Sequence, residues 1–389
     1  MVKEAREHLI NVIIPFWKGL RDEKFGGYYG YVDHDLNVDK KAFKGCILNS
    51  RILWFFSNAY MTLKDESLLS EARNAYIFLK DHCYDRECGG VYWSVEYDGK
   101  VREDVKYTYN LAFAIYALSS YYDASGSEGA LKIAKDIYDV IETKCRDEKG
   151  YLESGNRSFE PISNEELSEN GVIASRTMNT LLHVMEAYTE LYRVSGLTEV
   201  RKSLDFILDV YTEHIYNPKL HRQEVFFDDD YRPLIDLHSY GHDIETAWLM
   251  DRTVEILGEA GHEKKISPIT KDLTANIYRV AFDGHSLANE CENGIVDDRR
   301  IWWVQAEALL GFLNGYQKDP SKKEYLDAAK AEWDFIIENV VDKRKGSEWF
   351  SEVSPDGRPD PELPIVEPWK CPYHNGRMCM EVIKRGIDF

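Results

Sequence analysis

Six turn-forming stations recur along this chain at a nearly constant interval. They are FGGYYGYVDHD at Gly27, CGGVYWSVEYDG at Gly90, KGYLESGN at Gly150, YNPKLHRQEVFFDDD at Asn217, DGHSLANECENG at Gly284 and KGSEWFSEVSPDG at Gly346, separated by steps of 63, 60, 67, 67 and 62 residues. A period of this length marks supersecondary units that bury a shared core only by packing on their neighbours. Each station is followed by short alternating polar and apolar segments that read as small hairpins. Two helical patterns lie between successive stations. One is amphipathic, as in EGALKIAKDIYDVIETK and KKEYLDAAKAEWDFIIENVV. The other is apolar or small nearly all round, as in YNLAFAIYALSSYY, ASRTMNTLLHVMEAY and IWWVQAEALLGFL, and such a helix must be buried on most sides. Counting both kinds gives twelve helices, six exposed and six buried, in alternation. An open solenoid would leave its concave inner helices wetter than these. The expected fold is therefore all-α, an (α/α)6 barrel of six inner and six outer helices forming one domain over residues 1–389, with short hairpins and long loops at one end.

In that barrel every loop from an outer helix to the next inner helix opens on the same end, so polar residues at the starts of inner helices converge. These are Arg51 in LNSRILW, Tyr109 and Asn110 in KYTYNLA, Asn179 and His183 in TMNTLLH, His242 and Glu245 in SYGHDIET, Trp302 and Trp303 in RIWWVQAE, and His374 in CPYHNGRM. Taking one per helix, Arg51, Tyr109, His183, His242, Trp303 and His374 are spaced by 58, 74, 59, 61 and 71 residues, about one per repeat. A single histidine on an apolar helix is ordinarily a satisfied core residue; three at equivalent places describe a pocket lining. Glu245 lies three residues after His242, on the same helix face, where a carboxylate can orient the imidazole and raise its basicity. The alternative for that pair is a plain helix salt link. His238, four residues before His242, is expected in the loop because Gly241 marks the helix start.

Composition removes whole classes of partner. Lys plus Arg is 48 against 68 Asp plus Glu, a net charge of −20, which repels phosphate backbones and anionic lipid and argues against nucleic-acid or membrane partners. No stretch approaches the roughly 18 apolar residues of a membrane span, and the first residues lack a signal-peptide core. The expected location is cytoplasmic. The seven cysteines, at 46, 83, 88, 145, 291, 371 and 379, are odd in number and scattered, and read as free thiols in a reducing compartment. Cys371, His374 and Cys379 superficially suggest zinc, but no second compact Cys/His pair completes the set, so no metal is expected. Phosphate-binding and dinucleotide motifs and a nucleophile elbow are absent from the sequence, and no cofactor is expected. Aromatics are 13% of the chain, with 25 Tyr and 9 Trp; many sit in polar surroundings, which suits flat amphipathic ligands such as sugars and is equally compatible with a well-filled core.

Imidazoles move protons near neutral pH, and a buried arginine holds a negatively charged oxygen. In a sugar pocket these groups point to proton abstraction from carbon next to a carbonyl. For a ring-opened reducing sugar that carbon is C2, the product is an enediolate that Arg51 can stabilise, and return of the proton to the other face gives the 2-epimer. A glycoside hydrolase on the same barrel needs two carboxylates flanking the bond, and Glu245 is the single obvious acid. A non-catalytic sugar- or protein-binding role has no need of two facing histidines.

The segments KGCILNSRILWFFSNAY, KYTYNLAFAIYALS, HSYGHDIETAWLMDR, WWVQAEALLGF and PWKCPYHNGRMCMEV resemble the cellobiose 2-epimerase branch of the N-acylglucosamine 2-epimerase superfamily over essentially the whole chain. The resemblance implies cofactor-free epimerisation of the reducing-end glucose of a β-1,4-linked disaccharide. It implies His242 and His374 as the acid/base pair, Glu245 supporting His242, and Arg51 and His183 binding sugar oxygens. Tyr109, Asn179 and one of Trp302 or Trp303 would line the reducing-sugar site, and Trp369 would stack on the second sugar. Monosaccharide 2-epimerases and aldose–ketose isomerases of the superfamily share the histidines and remain the alternative. The partner is a small disaccharide; the oligomeric state is left open, with a monomer as the working expectation.

Overall fold

The computed structural model describes residues 1–163 and 170–387. Among these, twelve helical rods alternate between two rings. The outer rods are α1 (Val2–His8, Leu9–Ile13 and Ile14–Gly19 run together), α3 (Glu66–Phe78 and Leu79–Cys83), α5 (Glu128–Lys144), α7 (Thr198–Val210 and Tyr211–Ile215), α9 (Ala260–Val280) and α11 (Lys323–Phe335 and Ile336–Val340). The inner rods are α2 (Cys46–Leu63), α4 (Thr108–Ser125), α6 (Met178–Ser195), α8 (Tyr240–Leu257), α10 (Trp302–Lys318) and α12 (Tyr373–Arg385). Each inner helix packs on the next, and α12 returns to pack on α2, so the inner ring is closed. This is the (α/α)6 barrel.

Local sequence explains the alternation. Inner α2 and α4 each bury their first fourteen residues without a break, as an all-round apolar composition requires. Four of the five inner-to-outer connections are tight because the inner helix ends on a left-handed residue: Gly126, Gly196 and Gly258 at φ 70°, 66° and 69°, and Lys64 at φ 59°. Asp65 and Ser127 then cap the next outer helices, accepting from the amides of Ser67 and Ala130. Outer rods α1, α3, α7 and α11 each contain a five-residue π-helical stretch. In α1 this stretch ends two residues before Pro15, whose missing N–H and ring disfavour an unbroken α ladder.

The stations are hairpins, each closed by one antiparallel pairing: Arg21 with Tyr28, Tyr84 with Val91, Arg146 with Tyr151, Tyr216 with Gln223, Phe282 with Leu287 and Val341 with Trp349. The short strands beyond them do something different. The strand entering each inner helix pairs with a strand from the following repeat: Lys44–Gly45 with Ser94–Val95, Lys106–Tyr107 with Ser154–Gly155, Arg176–Thr177 with Phe226–Phe227, Leu237–Ser239 with Glu290–Glu292, and Arg300–Ile301 with Glu352–Val353. Val366, entering α12, pairs with Val32 of the first repeat, closing this belt as α12 closes the helix ring.

A second repeated device pins five of the six stations to the next inner helix. The station aspartate accepts backbone N–H groups of its own turn and then a cation from the strand entering the helix. Lys44 reaches Asp22 at 2.7 Å, Lys106 reaches Asp85 at 3.0 Å and Arg300 reaches Asp283 at 2.6 Å. Arg176 pairs with Asp147. In the last repeat Lys370 meets Glu348 at 2.7 Å, and Glu348 also accepts from Trp17 on α1 and Asn375 on α12. The starts of the inner helices are thereby held in register. No described helix is long and apolar enough to cross a membrane.

Candidate active site

The N-terminal ends of the inner helices bring the predicted residues together. Arg51, Tyr109, His183, Glu245 and His374 are buried, while Asn179, His242, Trp302, Trp303 and Trp369 are half-buried around them. The Arg51 guanidinium donates to the Tyr109 hydroxyl at 2.7 Å and to the Trp369 carbonyl at 3.2 Å, and lies 4.1 Å from the centre of the Phe113 ring. Cation–π contact and hydrogen bonds compensate its burial. Burial pushes the Tyr109 phenol up to about 12, so it keeps its proton and can donate it. The Tyr109 ring packs edge-on against His183 at 4.9 Å and lies 5.7 Å from Trp369. Trp369 in turn lies 5.4 Å from Trp93.

Trp303 stands between the two remaining histidines, its ring 4.7 Å from that of His242 and 5.6 Å from that of His374. The close approach depends on Gly241: a Cβ there would meet the Trp303 ring at 2.6 Å. Trp302 is farther off, 6.5 Å from His374, so of the two tryptophans Trp303 touches both imidazoles. His374 Nδ1 bonds Glu307 Oε1 at 2.8 Å, His183 Nδ1 bonds Glu186 Oε2 at 2.9 Å, and His242 Nδ1 bonds the Ser239 hydroxyl at 2.7 Å. In His242 and His374 this leaves Nε2 without a protein partner among the described residues. Burial is the main reason all three imidazoles are held neutral. It pushes His242 down to about 3, with His183 adding to the effect, and takes His374 well below the usual histidine range, helped by Arg377 and Arg51. His183 is lowered for the same reason.

Glu245 does not orient His242, contrary to the expectation from their spacing. Its carboxyl pairs with Arg377, 132 residues away, and the imidazole turns to Ser239 instead. Arg377, which sequence reasoning did not single out, is the hub of the barrel axis. It is 2% exposed and donates to Glu186, Glu245 and Glu307. Three carboxylates share one guanidinium, and they do not titrate alike. Glu245 is raised well above the carboxylate range by burial and by Glu307, and one of its oxygens has no partner among the described residues. Burial raises Glu186 too, but Arg377, His183 and Tyr373 outweigh it and leave the group at about 2. Burial also raises Glu307, opposed by Arg377 and Trp248. Glu307 accepts from Arg377 at 2.8 Å, from Trp248 at 2.9 Å and from His374, and with only N–H groups from Arg and Trp on it, it is an acceptor.

Glu245, Glu307 and His374 are the one group of possible metal ligands that gathers among the described residues, and Arg377 puts a positive charge where an ion would sit. Cys371 instead faces Arg51, its sulfur 3.9 Å from Nη1, and neither Cys371 nor Cys379 joins such a group. Two signals for the missed residues were present. Glu186 sits three residues after His183, and Glu307 is a charge within the apolar run WWVQAEALLGFL, too apolar to carry one cheaply. A surface groove of about 640 Å³ lined by Arg73, Tyr76 and Tyr121 lies at the other end of the helices and includes none of these residues.

Imidazoles with open Nε2 atoms, a buried arginine and tryptophan faces thus meet at the mouth of an (α/α)6 barrel, a lining whose chemistry suits a sugar. Comparison with known proteins supplies the class. The N-acylglucosamine 2-epimerase (GlcNAc 2-epimerase) family profile matches residues 27–375. A cellobiose 2-epimerase of Eubacterium cellulosolvens is 50% identical over 398 aligned residues, covering 98% of each chain. A cellobiose 2-epimerase of Ruminococcus albus is 49% identical over 388 residues, covering 100% of each. The crystal structure of a sugar epimerase from a ruminal bacterium superposes with a TM-score of 0.99 at 48% identity, covering 100% of both chains. The chain belongs to the N-acylglucosamine 2-epimerase family, and its enzymatic class is that of the sugar 2-epimerases, which are isomerases.

Proposed function

We propose that this chain epimerises C2 of the reducing-end glucose of β-1,4-linked disaccharides, converting cellobiose to glucosyl-mannose and acting on lactose in the same way, with no cofactor. The observation that carries this reading is the pair His242 and His374, both against the Trp303 ring with Nδ1 engaged and Nε2 open. In the ring-opened sugar the aldehyde at C1 acidifies the C2 proton. One Nε2 takes that proton, and the C2–H electron pair moves into the C1–C2 bond while the carbonyl oxygen gains the charge. Arg51, Tyr109 and His183 hold the oxygens of the resulting enediolate. The other histidine, having taken up a proton from solvent, delivers it from Nε2 to the opposite face of C2 and returns to neutral; the C1 carbonyl re-forms, and the first histidine releases its proton to solvent.

Three buried polar atoms support ligand contact on this surface. Arg51 Nε, Asn179 Oδ1 and Trp302 Nε1 have no hydrogen-bond partner among the described residues, and such groups ordinarily find one. The half-buried Trp369 beside Trp93 and Tyr109 suits stacking on the second sugar. The names of the 49–50% identical relatives favour a disaccharide. The test is incubation with cellobiose in heavy water, read by NMR. Mannose at the reducing end with deuterium at C2 is the expected product. Release of free glucose would mean hydrolysis, and turnover of glucose or mannose in preference to cellobiose would mean a monosaccharide enzyme; either result overturns the proposal.

A further inference from the structure

We infer that Ser239 is a positioning residue for His242, and that it makes the two histidines unequal partners. The inference rests on the acid–base reading of the pair above. Ser239 is the N-cap residue of α8, the place where a serine hydroxyl normally accepts a backbone N–H two or three residues on. Here it makes no such bond, although Thr177 in the same position of α6 does, accepting from Thr180 N at 3.0 Å. The Ser239 hydroxyl instead meets His242 Nδ1 at 2.7 Å and is itself 6% exposed. A cap of this kind stabilises a helix start, and α8 forgoes it to hold one imidazole.

The two Nδ1 partners differ in kind. Glu307 already accepts from Arg377 and Trp248, so as an acceptor it requires a proton on His374 Nδ1 and leaves Nε2 as the basic nitrogen. A serine hydroxyl can either donate or accept. It therefore satisfies His242 whether Nδ1 carries a proton or not, and holds the ring in one orientation in either state. Cys371, three residues before His374 as Ser239 is before His242, turns its sulfur toward Arg51, so His374 depends on Glu307 alone. Loss of the Ser239 hydroxyl should impair proton transfer at His242 and spare His374.

That asymmetry is measurable. With the His242 step slowed, the epimer whose C2 proton faces His374 still forms the enediolate and takes deuterium back on the same face. The epimer whose proton faces His242 does neither. In Ser239→Ala we expect kcat for epimerisation to fall about 10- to 100-fold, less than the ~10²- to 10⁴-fold of losing an acid–base group outright, with KM little changed. Deuterium exchange at C2 without inversion should persist from one epimer, cellobiose or glucosyl-mannose, and be lost from the other. Ser239→Thr, which keeps the hydroxyl, should restore most of the rate. Equal loss of exchange from both epimers, or a Ser239→Ala enzyme that works as the wild type does, would overturn the inference. If the wild-type enzyme itself places no deuterium at C2 of the product, the fault lies with the proposed reaction and not with Ser239.

Discussion

Glu307→Gln removes one charge from the barrel axis and leaves its shape intact. In the wild-type enzyme Glu307 takes three N–H groups, from His374 at 2.8 Å, Arg377 at 2.8 Å and Trp248 at 2.9 Å. An amide offers one acceptor oxygen and an NH2 group that must face a donor. Two effects follow. The imidazolium that forms when His374 takes a proton loses a charge-assisted hydrogen bond, worth about 1.5–3 kcal/mol. At about 1.36 kcal/mol per decade that is a ~10- to 150-fold fall in kcat. In addition, an amide N–H turned to Nδ1 would select the tautomer with the proton on Nε2, the wrong nitrogen for a base. An aspartate-to-asparagine change in a serine protease acts in this way and costs ~10⁴. The assay is steady-state epimerisation of cellobiose with a melting curve on the same sample, because Arg377 also loses charge compensation. Arg377 keeps Glu186 and Glu245, so the variant should fold. A kcat within about threefold of wild type in a normally melting protein would show that Glu307 neither sets the His374 tautomer nor stabilises its charge.

His242→Ala and His374→Ala should each lower kcat by about 10²- to 10⁴-fold with near-normal melting; a loss under tenfold removes that residue from the mechanism. Trp369→Ala is expected to raise KM for cellobiose with little change in kcat, the signature of lost uniform binding, while any activity on glucose is unaffected; equal losses on both sugars would place Trp369 at the reacting ring. Glu332 is fully buried on α11 with neither carboxylate oxygen partnered among the described residues, and burial raises its pKa well above the usual carboxylate range. Above about pH 4.3 the unfolded state releases this proton and the folded state keeps it, so wild-type stability falls as pH rises. Glu332→Gln, which cannot ionise, should melt above wild type at pH 8, with the gap closing toward pH 4; a gap that does not depend on pH would mean that Glu332 is ionised in the folded protein.

The helical frame was legible because it rests on local rules. EGALKIAKDIYDVIETK was read as an outer helix and α5 is Glu128–Lys144; the alternation of wet and dry helices followed from periodicity alone. The belt of strands was not legible. Each segment is two or three residues long and pairs with the next repeat, so its partner is fixed by the ring and not by a local turn. The pinning cations Lys44, Lys106, Arg176, Arg300 and Lys370 did carry a signal, a base just before each of five inner helices, but a lysine in a loop is ordinarily solvated and only burial reveals the pair.

Convergence at the helix mouths was likewise readable, since one polar residue per repeat needs no knowledge of side-chain partners. Partner choice was not readable, and His242 shows why. The i,i+3 rule correctly puts Glu245 on its face of α8, and the same spacing gives a true hydrogen bond between His183 and Glu186. The difference lies on α12. Arg377 projects into the axis and takes Glu186, Glu245 and Glu307 at once, from 191, 132 and 70 residues away. Glu186 uses one oxygen for His183 and the other for Arg377, and so serves both. Glu245 puts one oxygen on Arg377, and the other has no partner among the described residues, so neither reaches His242. A guanidinium in a low-dielectric axis outbids a neutral histidine for a carboxylate, so the helix-local partner is lost whenever a closed ring brings a cation to the centre. His242 then depends on the nearest hydroxyl, which is how Ser239, a residue whose position in the sequence marks it only as a helix cap, comes to hold it.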